Sequence, residues 1–154
     1  MSELAESKMT NFFDQLFKNC DCPIKYHDHD VWRGYYNHKA QSQLGFKRLD
    51  GEISISSMLS PEGKEGVLIH EIGHHWHHKR IGTSRYENMG VVLDEIIAEL
   101  YALHLLLKNK QRAALKYRFS TYEEYWGFFP HSEALKVIKC RRIWKRCEQF
   151  LKEG

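Results

Sequence analysis

At 154 residues, with 42% apolar and 28% charged residues, the chain is long enough for one domain with a real core and fits an ordinary soluble globular class. Its longest apolar run, about Ile96 to Leu107, is broken by Glu99 and His104, which excludes a membrane-spanning helix. The net charge of +3 is uneven: residues 108–154 carry twelve Lys/Arg against five Asp/Glu, a balance of +7, so the first 107 residues balance at −4.

In chain order, the opening Met1 to Glu6 lacks a positive region followed by an apolar core. It does not read as a signal peptide, and the product is expected to be cytoplasmic, with export by another route left open. Residues 1–20 hold an amphipathic helix over 3–18, with Leu4, Phe12, Phe13, Leu16 and Phe17 on its apolar side. Residues 22–57 read as β and turn. Strand candidates are Pro23 to Tyr26, Val31 to Tyr36 and Gly45 to Leu49, and Asp50-Gly51 is a tight-turn signal. Glu52-Ile53-Ser54-Ile55-Ser56 alternates polar and apolar, as a half-buried strand does. Ser60-Pro61-Glu62 supplies an N-cap, a first-turn proline and an acid at the positive end of a helix running over 60–79. Ile81 to Ser84 is a break, and a second long helix spans 89–108. Residues 120–151 hold the C-terminal helices: a short one opened by a Ser120/Glu123 capping box and ended by Pro130, then one from about Ser132 to Leu151. No linker divides the chain, so residues 1–154 are read as a single domain.

The first long helix carries His70-Glu71-Ile72-Gly73-His74. Residues i and i+4 lie on one helix face, so His70 and His74 can hold one ion, which this spacing predicts to be zinc, one per chain. Glu71 is rotated off that pair and is placed to act on a zinc-activated water as general base. The nearby His75, His77 and His78 would also suit a merely His-rich solvated helix. A third ligand is expected downstream. On the second long helix Glu95 and Glu99 interrupt a face made of Val91, Val92, Ala98, Ala102 and Leu106. Buried carboxylates are costly unless paired or metal-bound. Glu95 as ligand, with Glu99 one turn on orienting a ligating His, satisfies both; Asp94 and Glu99 are the alternative ligands. Four cysteines, Cys20, Cys22, Cys140 and Cys147, are expected to be free thiols in a reducing compartment, with Cys20 and Cys22 the pair open to a metal or latency role.

This arrangement resembles the gluzincin metallopeptidases: His70-Glu71-x-x-His74, then Glu95 on the following helix. Glu95-x-x-Ala98-Glu99 is similar to the glutamate helix of the anthrax lethal factor-like group, which includes the Pro-Pro endopeptidases. Small minigluzincin and ImmA/IrrE-type proteases share the layout. The resemblance covers roughly residues 45–107. It implies an α+β, compact zincin-like fold, in which a small twisted, mostly antiparallel sheet packs on an active-site helix and a glutamate helix, flanked by N- and C-terminal helices. It also implies His70, His74 and Glu95 as zinc ligands, Glu71 as general base and Glu99 as orienter. In the lethal factor-like group a Tyr seven residues before the ligand Glu stabilises the oxyanion. That position is Asn88 here, and Tyr86, two residues upstream, is the candidate, with His104, Tyr101, Tyr122 and His131 behind it.

The function these residues predict is zinc-dependent hydrolysis of peptide bonds in a protein substrate. An extended substrate would pair with Glu52, Ile53, Ser54, Ile55 and Ser56 if this strand is an open sheet edge; a plain internal sheet strand is the alternative. A non-catalytic zincin-fold binding module is the first alternative, and the presence of Glu71 argues against it. A nucleic-acid-associated protein using Lys136, Lys139, Arg141, Arg142, Lys145 and Arg146 is the second; the apolar Leu135, Ile138, Ile143, Trp144 and Phe150 between them favour core packing with a basic exterior.

Overall fold

The computed structural model describes residues 12–28, 33–38 and 51–153. Of the expected features, residues 3–11 of the first helix, Val31 and Trp32 of the second strand candidate, the Gly45–Leu49 strand and Asp50 lie outside these. Helix α1 covers residues 12–19. Three strands follow, β1 (Ile24–His27), β2 (Gly34–Asn37) and β3 (Glu52–Ser56), then α2 (Pro61–Ile81), α3 (Thr83–Asn88), α4 (Val91–Lys108), α5 (Arg112–Tyr125), α6 (His131–Ile138) and α7 (Arg142–Glu153). The fold is α+β.

The sheet is mixed, not mostly antiparallel. Its order is β1-β3-β2, with β1 parallel and β2 antiparallel to β3. The strand last in sequence therefore sits in the middle. Ile24 pairs with Ile53 on one side and Tyr36 with Ile53 on the other. This corrects the reading of Glu52, Ile53, Ser54, Ile55 and Ser56 as an open edge: both edges of β3 are already paired. The alternation misled because its polar residues are small. Ser54 and Ser56 are buried, Ser54 Oγ lies 2.7 Å from His27 Nδ1, and Ser56 Oγ accepts from Met58 N. A serine that finds a local partner can occupy a buried strand face as an isoleucine does.

Helix α2 begins as the sequence predicts, with Ser60 Oγ accepting from Gly63 N at 3.1 Å and Pro61 in the first turn. It runs to Ile81 and stops at Gly82, whose φ of +87° favours glycine. It belongs to both hydrophobic cores. Val67, Leu68 and Ile72 pack with Ile53, Ile55 and Cys22 under the sheet, while Ile69 joins Leu103, Leu106, Leu115 and Ile138 among the helices. Each such aliphatic side chain contributes about 2 kcal/mol on burial. With its flanks so occupied, α2 presents His70, Glu71 and His74 along its remaining side.

The distance from α2 to α4 is set by Gly73. A Cβ there would lie 2.7 Å from the Ala98 carbonyl oxygen and 3.0 Å from Ala98 Cα. Only a glycine lets the two backbones come this close, and that approach brings the acids of α4 against the histidines of α2. Elsewhere the helical expectations shift. Ser120 lies inside α5 instead of capping it, its hydroxyl donating to the Tyr117 carbonyl; the buried spacing Ala114, Leu115, Arg118, Thr121, Tyr122 carries the helix back to Arg112. The C-terminal helix divides into α6 and α7 at Lys139–Arg141, and the expected break after Ile81 contains α3. All four cysteines are free thiols.

Candidate metal centre

Two facing helices build the site. α2 contributes His70, Glu71 and His74, all buried, and α4 contributes Asp94, Glu95 and Glu99. His70 Nε2 and His74 Nε2 point at each other, 3.1 Å apart. Glu95 completes a triangle, with Oε2 3.1 Å from His70 Nε2 and Oε1 3.3 Å from His74 Nε2. His131, from the start of α6, brings its Nε2 to 3.2 Å from the same Glu95 Oε2.

Behind the triangle each imidazole is held through its other nitrogen. His70 Nδ1 lies 3.4 Å from Glu99 Oε1, and His74 Nδ1 lies 2.9 Å from Asp94 Oδ1. Glu99, fully buried, is gripped by Arg118 of α5: Nε donates to both carboxylate oxygens at 3.0 and 3.1 Å, and Nη2 makes a further short contact. Asp94 accepts from the Tyr86 hydroxyl at 2.8 Å and from His77 Nδ1 at 3.4 Å. Tyr36 of β2 stacks on His74, with ring centroids 6.4 Å apart and planes 6° apart; its hydroxyl lies 3.0 Å from His75 Nδ1 and 2.6 Å from His78 Nδ1. The extra histidines of the motif region are thus structural partners and not a solvated row.

The electrostatics favour a positive charge at the centre. Burial alone would raise Glu95, but hydrogen bonds from His131, His70 and His74 hold its carboxyl well below the usual range. Glu99 is likewise opposed by burial but brought down to about 2 by the Arg118 charge and by His70. Burial works against protonation of His70 and His74, yet the surrounding carboxylates prevail and raise both. Glu71 differs from the other acids: burial raises its pKa, and its Oε2 is buried with no hydrogen-bond partner.

His70, Glu71, His74, Glu95, Asp94 and Tyr86 share a cavity of about 410 Å³, closed on the sheet side by Arg33 and by Gly34, Tyr35 and Tyr36 of β2. None of Glu52 to Ser56 lines it. Tyr86 reaches the cavity, but its hydroxyl proton goes to Asp94. Of the other candidates only His131 lines the cavity; Tyr101 packs on Trp76 and Tyr122 on Trp126. His104 lines a separate cavity with Lys108, Arg142, Lys145 and Arg146. On α7, Ile143 and Cys147 are buried while the cations face outward. Sequence reasoning missed Arg118 as the partner of Glu99. Its signal was present: a lone cation on the buried face of α5. For Arg33 the sequence offers no comparable signal.

The profile of a peptidase family, described as the IrrE N-terminal-like domain, matches residues 24–139. The chain belongs to this family. The match spans both helices of the site and the whole sheet, and it selects the ImmA/IrrE-type resemblance among those the motif suggested. Neither a curated protein nor a solved structure gives a match. For an IrrE N-terminal-like domain the implied substrate is a protein. His70, Glu71 and His74 also offer ligand atoms that all lie within 4.8 Å of one another. No helix of the described residues is long and apolar enough to cross a membrane.

Proposed function

We propose that this IrrE N-terminal-like domain is a zinc-dependent endopeptidase with the gluzincin donor set. One observation carries the reading: the two Nε2 nitrogens and the Glu95 carboxylate meet within 3.3 Å of one another, on imidazoles whose outer nitrogens are each held by a carboxylate. A catalytic zinc takes three such protein ligands and keeps one position open. Glu71 also lies within ligand distance of the histidines. We take Glu95 as the third ligand because its oxygens approach both nitrogens directly, which leaves Glu71 to act as base.

A zinc ion held by His70, His74 and Glu95 would lower the pKa of water toward neutrality and polarise a carbonyl. Glu71 takes the proton of the attacking water and passes it to the leaving amine; its unpartnered Oε2 and its raised pKa suit a group that must accept and then release a proton. Glu99 and Asp94 hold Nδ1 of His70 and His74, which fixes the tautomer that turns each Nε2 lone pair inward. Tyr86 acts as a positioning residue through Asp94. The substrate runs past β2, the strand that lines the cavity, and not along β3.

The test is elemental analysis of the purified chain beside its His74→Ala and Glu95→Ala variants. About one zinc per chain is expected in the wild type and its loss in His74→Ala. Glu71→Gln should keep the metal and cleave no peptide. A wild type that takes up no zinc when incubated with it, or a Glu71→Gln variant with normal turnover, overturns the proposal.

A further inference from the structure

Two arginines line the cavity of the metal centre, and they differ. Arg118 is saturated by Glu99. Arg33 has no such partner: its Nη1 is buried without a hydrogen bond, and among the described residues it forms no ion pair. Of the three acids of the cavity, Glu71 has no hydrogen-bond partner on Oε2 and, among the described residues, forms no ion pair with Arg33, and the other two are engaged elsewhere. Asp94 is taken by His74, His77 and Tyr86, and Glu95 by His70, His74 and His131.

The Arg33 side chain is nevertheless held in place. Its backbone carbonyl accepts from Ser56 N at 2.8 Å, tying it to the central strand. The next residue, Gly34, sits so tightly on α2 that a Cβ would be 2.5 Å from Val67 Cγ1. The guanidinium lies over the Tyr125 ring at 3.5 Å from its centroid, a cation–π contact that fixes the plane of the fork. A desolvated donor left unpaired is costly and rare, and a guanidinium keeps its charge under all ordinary conditions. A neutral carbonyl would satisfy the donor but not the charge. A carboxylate satisfies both, and its two oxygens match the arginine fork.

We propose that Arg33, seated on Tyr125, forms a subsite that binds a carboxylate of the substrate: the side chain of an Asp or Glu near the scissile bond, or a free chain terminus. This deepens the peptidase reading and rests on it for the identity of the ligand as a substrate.

The test uses the zinc-loaded full chain and a randomised mixture of short peptides, prepared with amidated and with free C-termini. Cleavage products are sequenced by mass spectrometry. In parallel, the Glu71→Gln variant is used to retain peptides from the same mixtures without cutting them. The expected result is an enrichment of Asp or Glu over Asn or Gln of about tenfold at one position, the size of a lost charge-assisted hydrogen bond. In Arg33→Gln that discrimination collapses, mainly through KM. In Arg33→Glu the same position selects Lys or Arg, a gain that misfolding cannot produce. Cleavage or retention confined to peptides with a free C-terminus, without preference for Asp or Glu, assigns the subsite to the chain terminus. Acid-enriched retention with no cleavage by the wild type keeps the subsite and removes the peptidase reading. Absence of acid preference in both readouts, together with indifference to a free C-terminus, overturns the proposal, as does a preference that Arg33→Glu leaves unchanged. It is also overturned if Arg33→Gln lowers kcat alike for acidic and neutral peptides, since the guanidinium would then serve the developing oxyanion.

Discussion

Replacing Arg118 by methionine tests the electrostatic frame of the site. Glu99 and Arg118 are both buried, with 0% and 3% of their side chains exposed. Burial opposes ionisation of Glu99, but Arg118 and His70 hold it at about 2, against an ordinary value of 4.5. At about 1.4 kcal/mol per pH unit this difference corresponds to roughly 3 kcal/mol of stability. The sign follows from the depressed pKa: the contribution is complete above the unfolded value and is lost as pH falls from about 5 toward 2. Removing Arg118 leaves an uncompensated buried carboxylate, a change that costs about 3–5 kcal/mol at neutral pH. The two routes agree, and for a chain of this size the loss corresponds to a fall in Tm of roughly 10 °C. The assay is urea unfolding in the presence of a chelator, so that metal binding adds nothing, at a series of pH values. Wild type should weaken steeply below pH 5. Arg118→Met should be weaker at pH 7 and lose less on acidification, because its Glu99 takes up a proton while still folded. Glu99→Gln in the Arg118→Met background should recover much of the loss. A cost under about 1 kcal/mol at pH 7, or an acid limb unchanged by the substitution, would refute the reasoning.

Three further outcomes are expected. Asp94→Asn should lower zinc affinity about tenfold or more by freeing His74 Nδ1, with Tyr86→Phe showing a smaller loss in the same direction; competition with a chromophoric chelator measures both. Gly73→Ala should separate α2 from α4, costing about 1–3 kcal/mol on chemical unfolding and weakening zinc binding in the same protein. Ser54→Asp, on a strand paired at both edges, should unfold the domain instead of altering peptide selection; a folded, active variant with changed specificity would return β3 to a role in substrate binding.

The chemistry of α2 and α4 was more legible in the sequence than the sheet. His70, Glu71 and His74 stand out because helical spacing converts directly into a shared face. Glu95 and Glu99 stand out because carboxylates on an apolar stripe demand a partner. The partner of Glu99 was readable by the same logic applied to α5, where Arg118 occupies the buried side with Leu115 and Tyr122. Strand order was not readable. Alternation in Glu52–Ser56 says that two faces differ, but not which edges are covered, and the pairing of β3 with β1 and β2 depends on contacts distant in sequence. Helix boundaries moved for a local reason: Ser120 fits a capping box, yet its hydroxyl bonds back to the Tyr117 carbonyl inside a helix that had already begun.

The two imidazoles are supported unequally. Behind His70, Glu99 is sealed in the helical core and neutralised by Arg118, an arrangement that can change only at the cost of burying a bare charge. Behind His74, Asp94 keeps 20% of its side chain exposed and shares its oxygens among His74, His77 and Tyr86. Tyr86 comes from the short α3, which packs on the end of α2 and not into either core centre. His70 is therefore fixed by the fold itself, whereas the orientation of His74 depends on a hydrogen-bond chain through a peripheral element. Displacement of α3 would remove the Tyr86 hydrogen bond from Asp94 and so loosen the support of His74, while leaving that of His70 intact.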